Sequence, residues 1–171
     1  MRHRLLQLVN VGVLICLALF AMSAQAGQAR VGDAPPLPTI TTLDGRTLTS
    51  ADLKGKVVIL SYFASDCPFC MNEAPKLQKL YRNNRDRLIV IGVNIEQRDA
   101  NQRLKANQWV EKYKLTFPIT IQYQTLEKVL GRRIGLPINY VFDKRGVLTR
   151  IDAGEIFDED FDEIARMAQR E

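Results

Sequence analysis

Two cysteines stand two residues apart in the segment Ser65-Asp66-Cys67-Pro68-Phe69-Cys70, directly after an apolar run. A pair at this spacing can be half of a metal site, a structural disulfide or a redox-active dithiol. A structural zinc site usually needs four ligands, commonly Cys or His. Outside this pair the 171-residue chain has one cysteine, Cys16, and one histidine, His3, both near the N-terminus. The sequence therefore predicts no metal site, and it indicates no other cofactor.

A purely structural disulfide is the second alternative. Closing so short a loop removes little conformational entropy from the unfolded chain. In addition, Cys67 follows a predicted strand and opens a predicted helix, where free N–H groups and the helix dipole stabilise a thiolate. Cys70, one turn later, can attack a mixed disulfide formed at Cys67. A working dithiol is therefore favoured, and a binding module with a structural disulfide remains the alternative function.

The elements that must position this pair follow the pattern of one α/β domain. Residues 56–64 and 88–95 are near-continuous apolar runs, typical of strands buried on both faces of a sheet. Apolar residues from Cys67 to about Asn83 keep helical spacing. The other predicted elements are a hairpin turning at Asp44-Gly45, helices at residues 101–114 and about 125–133, a short segment at 117–121, a second hairpin at 138–151, and a closing helix from Phe157. The order, a β-hairpin, then βαβα, then ββα, predicts a mixed sheet.

The N-terminus has the layout of a secretory signal peptide. A basic start is followed by a mostly apolar stretch over residues 5–22, and Ala24-Gln25-Ala26 is a small-x-small cleavage site. We predict a signal peptide at 1–26, an extended lead-in at 27–38 and the folded domain at 39–171. The alternative is an uncleaved membrane anchor, since about 20 residues suffice to span a bilayer. We expect a periplasmic protein, free or anchored facing the periplasm.

The charge of the chain argues against nucleic-acid binding. The whole chain has a formal net charge of +5. Cleavage after Ala26 would remove Arg2 and Arg4 and no acidic residue, which leaves 22 Lys and Arg against 19 Asp and Glu, a net charge of +3. Charge this small and this scattered does not indicate a nucleic-acid partner. A monomer is expected.

The segment Tyr62-Phe63-Ala64-Ser65-Asp66-Cys67-Pro68-Phe69-Cys70 resembles the active-site segment of the thioredoxin superfamily, most closely that of exported TlpA/ResA-like thiol-disulfide oxidoreductases. Further matching features are Asp33-Ala34-Pro35, Leu43-Asp44-Gly45, Leu53-Lys54-Gly55-Lys56, Pro75, and Gly135-Leu136-Pro137 followed by a strand and Asp143-Lys144-Arg145-Gly146. The resemblance implies a thioredoxin fold, in which helices flank a central mixed β-sheet and an N-terminal β-hairpin precedes it.

The resemblance also implies roles for particular residues. Cys67 would be the exposed nucleophile and Cys70 the buried resolving thiol, joined as a redox disulfide in the oxidised form. Glu73 would take part in the proton transfer of the cysteines. The alternative for Glu73 is an ordinary exposed glutamate in a first helical turn. A cis peptide bond between Leu136 and Pro137 would hold the Leu136 backbone beside the cysteines for an extended substrate segment.

Asp66 and Phe69 would contribute to the substrate surface, although Asp66 stands where the family usually has tryptophan. Ser61 occupies the place of a buried aspartate of classical thioredoxins, which leaves Glu73 as the acid near the pair. The implied partners are protein thiols and disulfides, namely a substrate protein and an upstream redox partner that can be a membrane electron donor. Reduction of substrates, as in cytochrome c maturation, is the expected direction. A peroxidase is not expected, because Leu60 and Ala64 replace the Pro and Thr of the motif Pro-x-x-x-Thr-x-x-Cys.

Overall fold

The computed structural model of the chain describes residues 28–96 and 101–170. The strands are β1 (Ile40–Thr41), β2 (Thr47–Leu48), β3 (Val57–Phe63), β4 (Leu88–Asn94), β5 (Ile119–Thr120), β6 (Ile138–Phe142) and β7 (Leu148–Ala153). The helices are α1 (Ser50–Leu53), α2 (Pro68–Asn84), α3 (Gln102–Tyr113), α4 (Tyr123–Leu130) and α5 (Asp158–Gln169). The predicted signal segment at 1–26 lies outside the described residues. Within those residues, no helix is both long enough and apolar enough to span a membrane.

A five-stranded mixed sheet in the order β5-β4-β3-β6-β7 forms the centre of the domain. β3 pairs in parallel with β4 and antiparallel with β6. Every residue of β3, β4 and β6 is buried, because helices or loops cover both faces of the sheet. The prediction of two buried strands in a mixed sheet is confirmed.

Alternate residues of β3 enter two separate hydrophobic cores, since successive side chains of a strand point to opposite faces. Ile59 and Phe63 pack in the core that also contains the apolar residues of α2 and α5 and Trp109 of α3. Leu60 and Tyr62 pack in the core that contains α4 and the lead-in. The lead-in is attached to the domain by the backbone, since Ala29 N–H donates to Leu130 O at 3.0 Å.

The N-terminal hairpin β1–β2 turns at Asp44-Gly45 as predicted. Gly45 has a φ of 84°, a left-handed value that glycine adopts without strain. Residues 50–53 form the short helix α1, an element that the sequence pattern did not predict. Thr49 and Asp52 make a capping box at its start, a Thr-x-x-acid pattern that the sequence contained.

Helix α4 covers residues 123–130, whereas the sequence pattern predicted a helix at about 125–133. Gly131 accounts for the earlier end. Its φ is 85°, and its N–H donates to Glu127 O at 2.9 Å, so the chain leaves the helix at this glycine.

Candidate active site

The Cys-x-x-Cys segment lies at the junction between β3 and α2. The chain leaves the sheet after Phe63, and Cys67 is the N-cap residue of α2. Its Sγ accepts a hydrogen bond from the Cys70 N–H at 3.2 Å. Pro68 occupies the first turn, where its fixed φ suits a helix start and no N–H is required. The sulfur of Cys67 therefore lies at a helix N-terminus, where partial positive charge stabilises a thiolate.

Cys67 and Cys70 are joined by a disulfide with a Cα–Cα distance of 5.2 Å. The two residues differ in exposure. Cys67 is half-buried and adjoins the exposed residues Asp66 and Pro68, whereas Cys70 is 3% exposed and packs in the core beneath α2. An incoming sulfur atom can therefore reach Cys67 from solvent, whereas Cys70 is buried in the protein interior.

A small cavity of about 10 Å³, roughly the space of one water molecule, lies under the start of α2. The residues that line it are Ser61, Phe63, Cys70, Glu73, Ala74, Leu77, Gly92, Trp109, Phe117 and Pro137. The cavity thus brings the predicted resolving cysteine, the predicted acid and the predicted cis-proline together. Trp109 of α3 lines the cavity and stacks on Phe63 with ring centroids 4.9 Å apart.

Glu73 is 1% exposed, so the alternative of an ordinary exposed glutamate is wrong. Its Oε1 accepts a hydrogen bond from Asn139 Nδ2 at 2.8 Å, and its Oε2 accepts a longer one from Ile156 N–H at 3.4 Å. Burial raises the pKa of Glu73 to about 7, although both of these hydrogen bonds act to lower it. A carboxyl group with this pKa can both accept and release a proton near neutral pH.

Asn139 is a site residue that the sequence analysis missed. It lies in β6, directly opposite Ser61 of β3, and is fully buried. Both side chains face α2, because residues paired across two strands share one face of the sheet. The available signal was an asparagine within the otherwise apolar strand 138–142, where a buried amide needs a polar partner.

The peptide bond between Leu136 and Pro137 is cis, as the resemblance implies. Pro137 is buried and lines the cavity with Cys70, while Leu136 is half-buried. The loop that carries them leads directly into β6. The structure therefore places the predicted proline loop beside the cysteine pair.

The two remaining predicted site residues lie at the surface close to Cys67 in the sequence. Asp66 is exposed, and Phe69 is 57% exposed. A second acidic residue, Glu96, was missed. Its carboxylate accepts from Ser65 N–H at 3.2 Å, so it anchors the turn that precedes Cys67. Among residues 28–96 and 101–170, no cluster of three His, Cys, Asp or Glu side chains could hold a metal ion.

Residues 31–151, more than half of the chain, match the model of the AhpC/TSA family. The chain belongs to this family. Among its relatives, the thioredoxin-like protein YneN of Bacillus subtilis is 30% identical over 123 residues, which are 72% of this chain and 71% of YneN. The thiol-disulfide oxidoreductase ResA of Bacillus cereus is 30% identical over 162 residues, 90% of each chain.

Solved structures show the same architecture. The thiol:disulfide interchange protein of Chlorobium tepidum, a thioredoxin family protein, matches with a TM-score of 0.70 at 24% identity, over 84% of this chain and 100% of that one. The match to ResA shows that this member of the AhpC/TSA family is a thiol-disulfide oxidoreductase, and the solved structure shows that it has the thioredoxin fold. The predicted family resemblance, fold and class of enzyme are confirmed.

Proposed function

We propose that this thiol-disulfide oxidoreductase works outside the cytoplasm and uses its Cys67–Cys70 dithiol to reduce disulfides of other proteins. The observation that carries the proposal is the contrast between the two cysteines. Cys67 is half-buried at a helix N-terminus, and Cys70 is buried in a cavity that it shares with Glu73. One sulfur is accessible to a substrate, and the other has a proton acceptor nearby.

In the first step, the Cys67 thiolate attacks one sulfur of a substrate disulfide. The substrate S–S bond breaks, a mixed disulfide with Cys67 forms, and the second substrate sulfur leaves as a thiolate and takes up a proton. The N-terminal dipole of α2 stabilises the attacking thiolate. The exposure of the flanking residues Asp66 and Phe69 supports an approach from this side.

In the second step, the Cys70 thiol transfers its proton to the Glu73 carboxylate, and Cys70 Sγ attacks Cys67 Sγ. The Cys67–Cys70 disulfide forms, and the substrate sulfur leaves as a thiolate. The two steps together convert one substrate disulfide to a dithiol and oxidise the enzyme dithiol. A pKa of about 7 suits Glu73 to this role, because a general base works best with a pKa near the working pH.

The cis-proline loop is the proposed docking site for the substrate chain. Pro137 lines the cavity with Cys70, so the backbone of the neighbouring Leu136 can pair with an extended polypeptide segment that approaches the cysteines. Phe69 offers an exposed apolar ring and Asp66 an exposed charge next to the nucleophile. We assign Leu136, Asp66 and Phe69 to substrate contact, with Pro137 holding the Leu136 backbone in place, and the enzyme acts as a monomer.

Export is proposed from the N-terminal sequence. The apolar stretch and the cleavage site at Ala24-Gln25-Ala26 support a periplasmic enzyme, released or anchored by residues 1–26. Fractionation of a cell that expresses the full chain, with the intact mass of the product, tests this. A periplasmic product shortened by 26 residues supports cleavage, a full-length product in the membrane supports an anchor, and a full-length cytoplasmic product contradicts export.

The oxidised enzyme must be re-reduced by an upstream dithiol, which can belong to a membrane electron donor. The favoured use of the electrons is a pathway such as cytochrome c maturation. A reductant of this kind should have a low reduction potential, nearer to the thioredoxin value of about −270 mV than to the DsbA value of about −120 mV. Equilibration with dithiothreitol or glutathione measures it. A potential near that of DsbA would reverse the proposed direction.

The reduction of insulin by dithiothreitol tests the activity itself. The protein lacking residues 1–26 should accelerate it, and Cys67→Ser should abolish the acceleration. Lys79→Ala, an exposed substitution on α2 that keeps both cysteines, is the matched control. A wild-type protein that does not accelerate insulin reduction would favour the alternative, a binding module with a structural disulfide.

A further inference from the structure

Asn139 has one hydrogen-bonding atom that its surroundings leave unused. Its Nδ2 donates to Glu73 Oε1 at 2.8 Å. Its Oδ1 is buried and accepts no hydrogen bond from the residues that the structure describes. An unpaired buried acceptor is destabilising, and such groups are rare in folded proteins. A polar atom left in this position next to an ionisable group suggests that it has a partner in another protonation state.

The two protonation states of Glu73 have opposite requirements. The carboxylate only accepts hydrogen bonds, whereas the protonated acid carries an O–H that must be donated. A side-chain amide can satisfy both, since a half-turn of its terminal bond exchanges the Nδ2 donor and the Oδ1 acceptor. The side-chain amide of Asn139 lies at hydrogen-bonding distance from the Glu73 carboxyl group. It can therefore exchange its donor and acceptor without movement of the backbone.

We propose that Asn139 is the positioning residue of the proton acceptor, donating through Nδ2 to the Glu73 carboxylate and accepting through Oδ1 from the protonated acid. The inference rests on the proposed role of Glu73 in the second step. When the Cys70 proton reaches Glu73, the amide turns over and holds the new O–H. The Cys70 Sγ–Cys67 Sγ bond forms as the substrate thiolate leaves, so atoms and electrons balance as in that step.

Other charged groups near Glu73 are held by their own partners. Glu155, on the segment after β7, and Asp152 of β7 raise the pKa of Glu73 slightly. Glu155 pairs with Lys76 of α2 at 3.7 Å, and Asp152 pairs with Arg150 at 3.0 Å. Besides Glu73 itself, α2 contributes Cys70 to the cavity, and Cys70 can titrate only when the disulfide is reduced. A substitution at position 139 leaves these ion pairs in place, so its effect on the proton acceptor can be measured separately.

The reaction of reduced protein with 5,5′-dithiobis(2-nitrobenzoate) isolates the relevant step. Cys67 releases the first thionitrobenzoate, and the attack of Cys70 on the mixed disulfide releases the second. The rate of the second release should rise with pH with a midpoint near 7, the pKa of Glu73. In Asn139→Leu, which neither donates nor accepts, the midpoint should rise by about one pH unit, because the hydrogen bond to the charged form is the stronger one. Asn139→Gln, which keeps a side-chain amide that can donate and accept, should bring the midpoint most of the way back to the wild-type value.

Glu73→Gln distinguishes failure of the inference from failure of the proposed function. If Glu73→Gln leaves the pH dependence of the second release unchanged, Glu73 is not the proton acceptor and the proposed second step is wrong. If Glu73→Gln removes the dependence but Asn139→Leu does not move the midpoint, only the role of Asn139 is overturned.

A measurement on the unsubstituted residue covers the case in which Asn139→Leu does not fold. The side-chain amide resonances of Asn139 in the oxidised protein, followed by NMR, should titrate with a midpoint near pH 7 and should stop titrating in Glu73→Gln. Amide resonances that stay constant from pH 5 to 9 in the wild-type protein would overturn the proposal.

Discussion

Replacing Glu73 by glutamine is expected to stabilise the oxidised protein at alkaline pH and to change its stability little at pH 5. Glu73 is 1% exposed, and its carboxyl group contacts one side-chain amide and one backbone N–H. Glutamine keeps the shape and an oxygen that can accept from Asn139. Glutamine cannot acquire a charge, so the substitution removes the pH dependence that residue 73 contributes to the free energy of unfolding.

The expected size follows from the pKa. Burial raises the pKa of Glu73 from 4.5 to about 7. Between these two values the folded protein keeps a proton that the unfolded chain has released, so the free energy of unfolding falls as pH rises through this window. At about 1.4 kcal/mol per pKa unit, the fall amounts to about 3 kcal/mol. Glu73→Gln should therefore gain about 3 kcal/mol relative to wild type between pH 5 and pH 9.

Urea denaturation at several pH values measures this difference. The protein is kept oxidised so that the cysteines cannot titrate. Glu111→Gln, on the exposed side of α3, is the matched control and should show no such trend. The reasoning is refuted if the difference in unfolding free energy between Glu73→Gln and wild type is the same at pH 5 and pH 9, or if it changes in the opposite direction.

Two further predictions concern the nucleophile and the core. Asp66→Asn should lower the pKa of Cys67 by about one unit or less, because it removes a negative charge next to the thiolate that solvent screens only in part. The rate of alkylation by iodoacetamide as a function of pH, in a Cys70→Ser background, measures this pKa. An unchanged pKa would show that Asp66 has no electrostatic role. Gly92→Ala should lower the free energy of unfolding by about 1–3 kcal/mol. A Cβ at this position would collide with Ile119 and lie 3.2 Å from the Phe63 and Phe117 rings. A variant as stable as wild type in urea denaturation would contradict this packing.

The sequence predicted the parts of the fold that local patterns determine. β3 and β4 are continuous apolar runs, and such runs favour strands buried on both faces regardless of what covers them. The position of Cys67 between a strand and a helix was likewise local information, and it predicted an N-cap sulfur. Helix α1 was not predicted, and α4 was predicted to end too late, because a capping box starts the first helix and a glycine ends the second.

The environment of Glu73 could not be predicted from local patterns. Its position in the first turns of α2 is equally typical of an exposed residue. Its burial depends on Asn139 and Ile156, which are 66 and 83 residues further along the chain and reach Glu73 only in the folded sheet. The family resemblance indicated the role of Glu73, whereas Asn139, which donates to it, was found only from the structure.

Trapping of substrate by single-cysteine variants tests the central claim most directly. Reduced Cys70→Ser, mixed with insulin and analysed by intact mass and peptide mapping, should accumulate a mixed disulfide through Cys67, because no resolving thiol is present. Cys67→Ser should accumulate little, since Cys70 is 3% exposed. Accumulation of insulin adducts on Cys70 in Cys67→Ser, with none on Cys67 in Cys70→Ser, would contradict the assignment of Cys67 as the nucleophile.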